Sequence, residues 1–293
     1  MKIRIGVSLA SDSDFAGAVD RLEAAGIDSL WLPERVYGDA VEPLTGIAFA
    51  LSRTSHLKAG SGVSILPGRH PVLVAKQLAS LAVLAPGRVL PVFGLQPALP
   101  AEKDLFPIPA GARRGDVFDE ALTLLKRLLT ADSPATFSGR FFDVTDADVG
   151  PKPAKPLDIW LGGSAPGALR RIGRLGDGWL GSFMAPAEAG EAVRTVQAAA
   201  AEAHREVDPE HFGMNIAVSF GPIPAAYAES VARRRPGTDP EDLVAEGWPG
   251  ARQRIEEFAA QGLSKFVVRA ITPDMPADEF TDGLASELKP LQT

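Results

Sequence analysis

Short apolar runs alternate along the chain with longer stretches whose apolar residues fall three and four positions apart. This is the pattern of strands alternating with amphipathic helices. Residues 3–9 (IRIGVSL) form the first run. A helix to Ala25 follows, with Phe15, Val19 and Leu22 on one face, Asp12 or Ser13 as its cap and Gly26 at its end. Ser29–Leu32 is the second run, with Pro33, Glu34 and Arg35 at its C-terminal end. Helix signals return over Pro43–Arg53. Residues 57–65 (LKAGSGVSI) predict a third strand whose internal glycines mark a bulge or a close backbone approach. Pro71 opens a strongly apolar helix to Leu84, and residues 88–93 (RVLPVF) read as a fourth strand interrupted by Pro91.

The second half repeats the pattern with longer excursions. Residues 95–112 are proline-rich and read as a loop; 113–129 form a helix with Val117, Ala121, Leu124, Leu125 and Leu128 in register. Residues 130–156 are irregular, with a small hairpin around 137–141. Residues 157–183 (LDIWLGGSAPGALRRIGRLGDGWLGSF) spell strand, glycine turn, helix, tight turn, strand. There Ser164 suits the N-cap, Pro166 the first turn and Gly176 the C-terminal cap. A helix over 187–205, a seventh strand over 214–220, a helical excursion over 222–248, a helix over 250–261, an eighth strand over 266–270 and a helix over 278–288 complete the chain.

Eight strands alternating with helices imply parallel pairing, because each crossover needs a helix. The count and the length of 293 residues match a single α/β domain, a (β/α)8 TIM barrel with irregular insertions, spanning residues 1–293. A doubly wound sheet competes. It would place its glycine fingerprint after the first strand, where this chain reads Ser8-Leu9-Ala10-Ser11.

Composition narrows the chemistry. A net charge of −7 without a long basic run argues against a nucleic-acid partner. The absence of cysteine excludes disulfides, thiolate nucleophiles and cysteine metal sites. The histidines show no metal-ligand spacing, so no metal is expected. No apolar run is long enough to span a bilayer and the N-terminus shows no signal-peptide pattern, so a soluble cytoplasmic protein is expected. The glycine turn at Gly162-Gly163 reads in two ways. A strand ending in glycines before a helix presents free N–H groups to an anion, most often a phosphate. It is equally a tight strand-to-helix turn.

Several motifs in order resemble the luciferase-like monooxygenase family, the flavin- and deazaflavin-dependent TIM-barrel oxidoreductases. They are AAGIDSLWLPER (24–35), RTSHLKAGSGVSILPGRHPVLVAKQLASLAVLAPGRV (53–89), RRGDVFDEALTLLKRLL (113–129), LGGSAPGALRRIGRLGDGWL (161–180) and GLSKFVVRA (262–270). Within the family the chain is most similar to members that use the deazaflavin coenzyme F420. The resemblance implies a cofactor phosphate at Gly162, Gly163, Ser164 and Ala165. It implies a non-proline cis peptide at Gly62–Val63, beside Ser64, in a bulge backing the tricyclic ring. Gly94 is expected at the cofactor, and Gln96 can hydrogen-bond substrate or cofactor. The helix at Pro71–Leu84, apolar nearly all round, and the resemblance together imply a homodimer packed through the helices at Pro43–Arg53 and Pro71–Leu84. Glu34 and Arg35 fall where many deazaflavin members carry an Asp-His pair.

Two departures stand out. Arg35 replaces the histidine, and arginine cannot give up a proton at accessible pH. The glycine-rich run expected after the fourth strand reads Phe93-Gly94-Leu95-Gln96-Pro97, without the glutamate that some relatives carry. Sugar-phosphate dehydrogenation is therefore not expected. Glu34 remains the candidate acid/base, with an ion pair to Arg35 or Arg69 as the alternative role. His70 either touches substrate or fills a helix start, and the strand tryptophans Trp31, Trp160 and Trp179 read as core. Hydride transfer to or from a small organic substrate with coenzyme F420 is the expected activity. An FMN-dependent monooxygenase and a cofactor-binding protein without turnover are the alternatives. A phosphate-ligand barrel of another chemistry lacks a strand-end Lys or His base.

Overall fold

The computed structural model describes residues 2–9, 14–130, 134–273 and 275–293. The first four units are β1 (Arg4–Ser8), α1 (Phe15–Ala25), β2 (Ser29–Leu32), α2 (Pro43–Arg53), β3 (Lys58–Ser61), β4 (Ser64–Ile65), α3 (Pro71–Leu84), β5 (Val89–Leu90) and β6 (Val92–Gly94). Helix α4 (Arg114–Thr130) leads to an antiparallel hairpin of β7 (Ala135–Ser138) and β8 (Asp143–Ala147). Then come β9 (Trp160–Gly162), α5 (Pro166–Leu175), β10 (Gly178–Gly181), α6 (Pro186–Glu202) and β11 (Phe212–Ser219). The chain closes with α7 (Ala225–Arg234), β12 (Val244–Glu246), α8 (Gly247–Ala260), β13 (Lys265–Ala270) and α9 (Ala277–Gly283).

Two predicted strands are each broken in the middle. β3 and β4 are halves of the third, interrupted at the cis peptide Gly62–Val63. β5 and β6 are halves of the fourth, interrupted at Pro91, which has no N–H to give a ladder. One side chain bridges the break: the Ser61 hydroxyl donates to the carbonyl of Val92 (2.9 Å) and accepts from its N–H (3.0 Å). Through these broken strands the parallel pairing runs β1–β2–β3–β5 and β4–β6–β9–β10–β11–β13–β1, returning on itself as a barrel.

Two apolar layers hold it. Between strands and helices lie Ile5, Leu30, Leu32, Ile47, Leu78, Leu125, Ile172, Trp179, Phe212 and Phe266, all buried. Inside the barrel sit Trp31, Trp160, Val92, Leu180 and Val267. The lumen tryptophans fit because glycines face them: a β-carbon on Gly6 would meet Trp31 at 2.6 Å, and one on Gly178 would meet Trp160 at 2.4 Å. All three strand tryptophans are core, as their positions predicted.

The differences from the sequence reading lie in the excursions. Residues 95–112 include a 3-10 turn, Pro100–Leu105. The 222–248 excursion holds α7 and β12, which adds a parallel partner to the C-terminal end of β11, on the edge that β10 pairs lower down. Helix α8 starts earlier than predicted, at Gly247. The last helix stops being α-helical at Gly283 and continues as π and 3-10 turns to Leu291. The predicted caps Asp12 and Ser13 lie outside the described residues; Asp14 accepts from the N–H of Gly17 at the start of α1.

Candidate functional site at the C-terminal mouth of the barrel

Because the barrel strands are parallel, their C-terminal ends share one rim, the place where barrel enzymes gather their chemistry. Val63, the second residue of the cis peptide, stands there between two neighbouring strands. Its Cγ2 lies 2.6 Å from the place a β-carbon on Gly94 would occupy, and its Cγ1 lies 2.9 Å from that of Gly162. Both distances are below any real contact, so only glycine at 94 and 162 leaves room for this side chain. The predicted cofactor residues Val63, Gly94 and Gly162 thus meet at one spot.

From Gly162 the chain enters the glycine turn. Gly163 takes φ 120°, which side-chain-bearing residues rarely adopt. Its carbonyl accepts a hydrogen bond from the buried indole of Trp179 at 2.9 Å. Residues 163–167 are exposed. Helix α5 begins one residue later than the cap reading predicted: Ala165 is the N-cap, and Ser164 makes no capping bond. The N–H groups of Ser164 and Ala165 meet no acceptor among the described residues, which leaves them for water or an anion.

Along α5, from Gly167 in its first turn to Arg174 in its last and against the end of α6, opens a cleft of about 740 Å³ lined by Arg113, Arg170, Arg171 and Arg174 and by the carboxylates Asp116, Asp119 and Glu202. Asp116 pairs with Arg113 (3.0 Å), and Asp119 pairs with Arg171 and Arg174. Arg170 has no carboxylate partner among the described residues. Arg114 turns elsewhere and donates to the carbonyl of Phe106 at 2.8 Å.

Glu34 is buried, its side chain 3% exposed. Arg69 grips it with two N–H groups, at 2.5 Å and 3.0 Å, and the N–H of Ile65 in β4 donates to it at 2.6 Å. Arg69 also donates to the carbonyl of Ile65 at 2.5 Å and lies over the ring of Phe106. The ion-pair role is therefore realised with Arg69, and Glu34 ties the end of β2 to β4. Arg35 has no carboxylate partner among the described residues. Ser64 is buried and lines a small apolar void with Val74 and Leu78 of α3. Gln96 is exposed. His70 caps α3, its Nδ1 accepting from the N–H of Val72 at 3.3 Å.

Sequence reasoning missed Glu102. It is wholly buried and accepts from the N–H groups of Val36 (2.7 Å) and Tyr37 (2.9 Å), fixing the loop that carries Arg35, while its other oxygen is unpartnered. Nothing local marks this role, since Glu102 sits in a proline-rich stretch with no periodicity. Among the described residues there is no cluster of His, Asp and Glu that could hold a metal, and no helix long and apolar enough to cross a membrane.

Comparison with known proteins agrees with this fold. An F420-dependent glucose-6-phosphate dehydrogenase of Kineococcus radiotolerans is 30% identical over 54% of this chain and 49% of its own length. The chain thus spans about half the length of the curated relatives it matches first. An F420-dependent secondary alcohol dehydrogenase, solved with an F420-acetone adduct, superposes over the whole of both chains with a TM-score of 0.82 at 22% identity. The FMN-bound oxygenating constituent of 3,6-diketocamphane monooxygenase from Pseudomonas putida superposes over 99% of both chains with a TM-score of 0.75 at 18% identity. Residues 6–284 match the luciferase-like monooxygenase family from the first barrel strand to the closing helix, and the chain belongs to that family.

Proposed function

We propose that the chain is an oxidoreductase that uses coenzyme F420 to move a hydride to or from a small organic substrate at the C-terminal mouth. The observation that carries this reading is the meeting of Val63, Gly94 and Gly162 beside the exposed glycine turn. That arrangement is a ledge for a flat ring with a seat for a phosphate next to it. Ser164 and Ala165 would hold the phosphate through their N–H groups, helped by the dipole of α5. Val63 would back the ring. In the cleft along α5, whose other arginines are paired with Asp116 and Asp119, Arg170 has no carboxylate partner among the described residues, and this supports F420 over FMN because F420 carries a further acidic tail.

When bound, F420 supplies the two-electron hydride carrier. The chain's own residues orient and exclude. Trp179 fixes the glycine turn. Glu34 and Arg69 hold β4, and with it the Val63 ledge, against β2. Arg35 stays cationic and binds; it does not transfer protons. We place the protein in the cytoplasm and read it as a homodimer, on the exposed apolar residues Phe49, Leu73, Val83 and Leu84 of α2 and α3.

Titrating the purified protein with F420 and with FMN tests the assignment, together with the absorbance spectrum of whatever copurifies. F420 is expected to bind more tightly, and tighter FMN binding would overturn it. Cofactor binding without hydride exchange across a panel of carbonyls, imines and enones would make the chain a carrier and not an enzyme.

A further inference from the structure

Three arginines follow one another at the end of α7, and the outer two are paired: Arg233 with Glu229 (3.9 Å) and Arg235 with Glu188 (2.5 Å). Arg234 between them has no carboxylate among the described residues. Its guanidinium lies over the ring of Phe183, 5.0 Å from the centroid, and donates to the carbonyl of Ala98 at 3.2 Å and to the hydroxyl of Ser230. Phe183 stacks on Tyr227 (5.8 Å between centroids, 20° between planes), and the guanidinium of Arg269 lies over Tyr227 at 5.3 Å. Two guanidinium groups are thus held against one stacked ring pair. Arg269 and Arg35 also lack a carboxylate partner among the described residues. Loss of surrounding water, and then the positive charges of Arg35, Arg233 and Arg269, push Arg234 below the usual arginine range.

In a chain of net charge −7, such a like-charged group repels itself unless an anion joins it. We propose that Arg35, Arg234 and Arg269 bind an anionic group of the substrate, a carboxylate or a phosphate ester, with Phe183 and Tyr227 as the wall for its apolar body. The proposal rests on the mouth being the reaction site, as argued above. The site spans the mouth and borders the cofactor seat. Arg35 follows β2 and Arg269 lies in β13, the two strands that flank β1, while Phe183 follows β10, the neighbour of the strand β9 that leads into the glycine turn. A substrate anchored at the arginines would therefore lie over the mouth, beside the glycine turn. Tyr227, whose phenol is pushed up by burial, stays protonated beside Arg269 and can donate to the same anion.

The test is calorimetry on the full chain at low salt with benzoate, phenyl phosphate and benzyl alcohol. At least one anion is expected to bind, and benzyl alcohol is not; the preferred anion identifies carboxylate or phosphate as the recognised group. Arg234→Met and Arg269→Met should each weaken anion binding tenfold or more, with F420 affinity and thermal unfolding unchanged. Equal binding of benzyl alcohol, no binding of either anion, or full anion affinity in both variants would overturn the proposal. Failure of F420 to bind, with anion binding still lost in the variants, would count against the cofactor assignment and leave the arginine site standing.

Discussion

The indole of Trp179 donates to the carbonyl of Gly163 at 2.9 Å, so a core residue of β10 sets the shape of the exposed glycine turn after β9. With that carbonyl held inward, the N–H groups that follow it remain for an anion. Trp179→Phe keeps an aromatic core residue and removes the donor. Cofactor affinity should fall roughly fivefold, matching a net hydrogen bond of about 1 kcal/mol, while the fold persists by circular dichroism. Gly163→Asp combines a strained backbone with a like charge against the phosphate and should weaken binding more. Unchanged affinity in both variants would place the phosphate elsewhere.

The Val63 ledge predicts a different failure. In Gly94→Ala the new β-carbon would lie 2.6 Å from Val63 Cγ2, so the valine must move. Overpacking of this kind costs about 1–3 kcal/mol. The expected result is a lower melting temperature and at least tenfold weaker F420 binding. Adding Val63→Ala should restore the melting temperature without restoring affinity, because the ledge is then gone.

At the other end of the barrel, Asp28 receives the ammonium groups of Lys265 (2.8 Å) and Lys58 (2.7 Å). Burial alone would push its carboxyl up, but the two lysines outweigh that and hold it at about 2. A carboxyl held below its ordinary value of about 3.9 adds stability that is fully present above that value and is lost as pH falls toward 2. The contribution is on the order of 2 kcal/mol. Asp28→Asn should flatten this acid limb in urea unfolding measured between pH 2 and 5. It should also cost about 3 kcal/mol or more at neutral pH, because Lys265 is left buried without its partner. Adding Lys265→Met should recover most of that loss.

How much of this was legible in the chain depends on the range of the signal. The barrel strands, their helices and the hairpin were readable because hydrophobic period and glycine or proline punctuation act locally. The glycine positions 94 and 162 were readable as family positions, but their reason, room for Val63, lies across strands distant in sequence. Arg69 was named as a possible partner of Glu34, yet only the barrel's closure decides between it and the adjacent Arg35. Glu102 and the run at Arg234 were not legible as site residues at all. Their roles depend on loops that fold back over the mouth, and no periodicity encodes such contacts.

The outer face of α3 bears on assembly. Leu73 is 67% exposed and Leu84 is 80% exposed, three turns apart and hence on one side of the helix. With Phe49 of α2 and Val83 they expose more apolar surface than a lone helix face in water needs. Light scattering at micromolar concentration should give the mass of a dimer for the native chain. Leu73→Glu combined with Leu84→Glu should give a monomer with unchanged circular dichroism; a native monomer would remove the basis for this interface.

The last prediction separates two roles for Glu34. A general acid or base must reach the reacting group, whereas both oxygens of Glu34 are already taken by Arg69 and by the N–H of Ile65. If holding β4 is its task, Glu34→Gln breaks a buried ion pair and leaves Arg69 without its countercharge. Losing one partner of such a pair costs about 3–5 kcal/mol. Melting temperature and cofactor affinity should then fall together, because the Val63 ledge begins where β4 is anchored. Arg69→Met added to Glu34→Gln removes the stranded charge and should restore much of the stability, but not the affinity, since the N–H of Ile65 still lacks a carboxylate. A catalytic Glu34 gives the opposite pattern: native melting temperature, native F420 binding and a lost kcat in the single variant. Measuring all three on the same protein decides between anchor and acid.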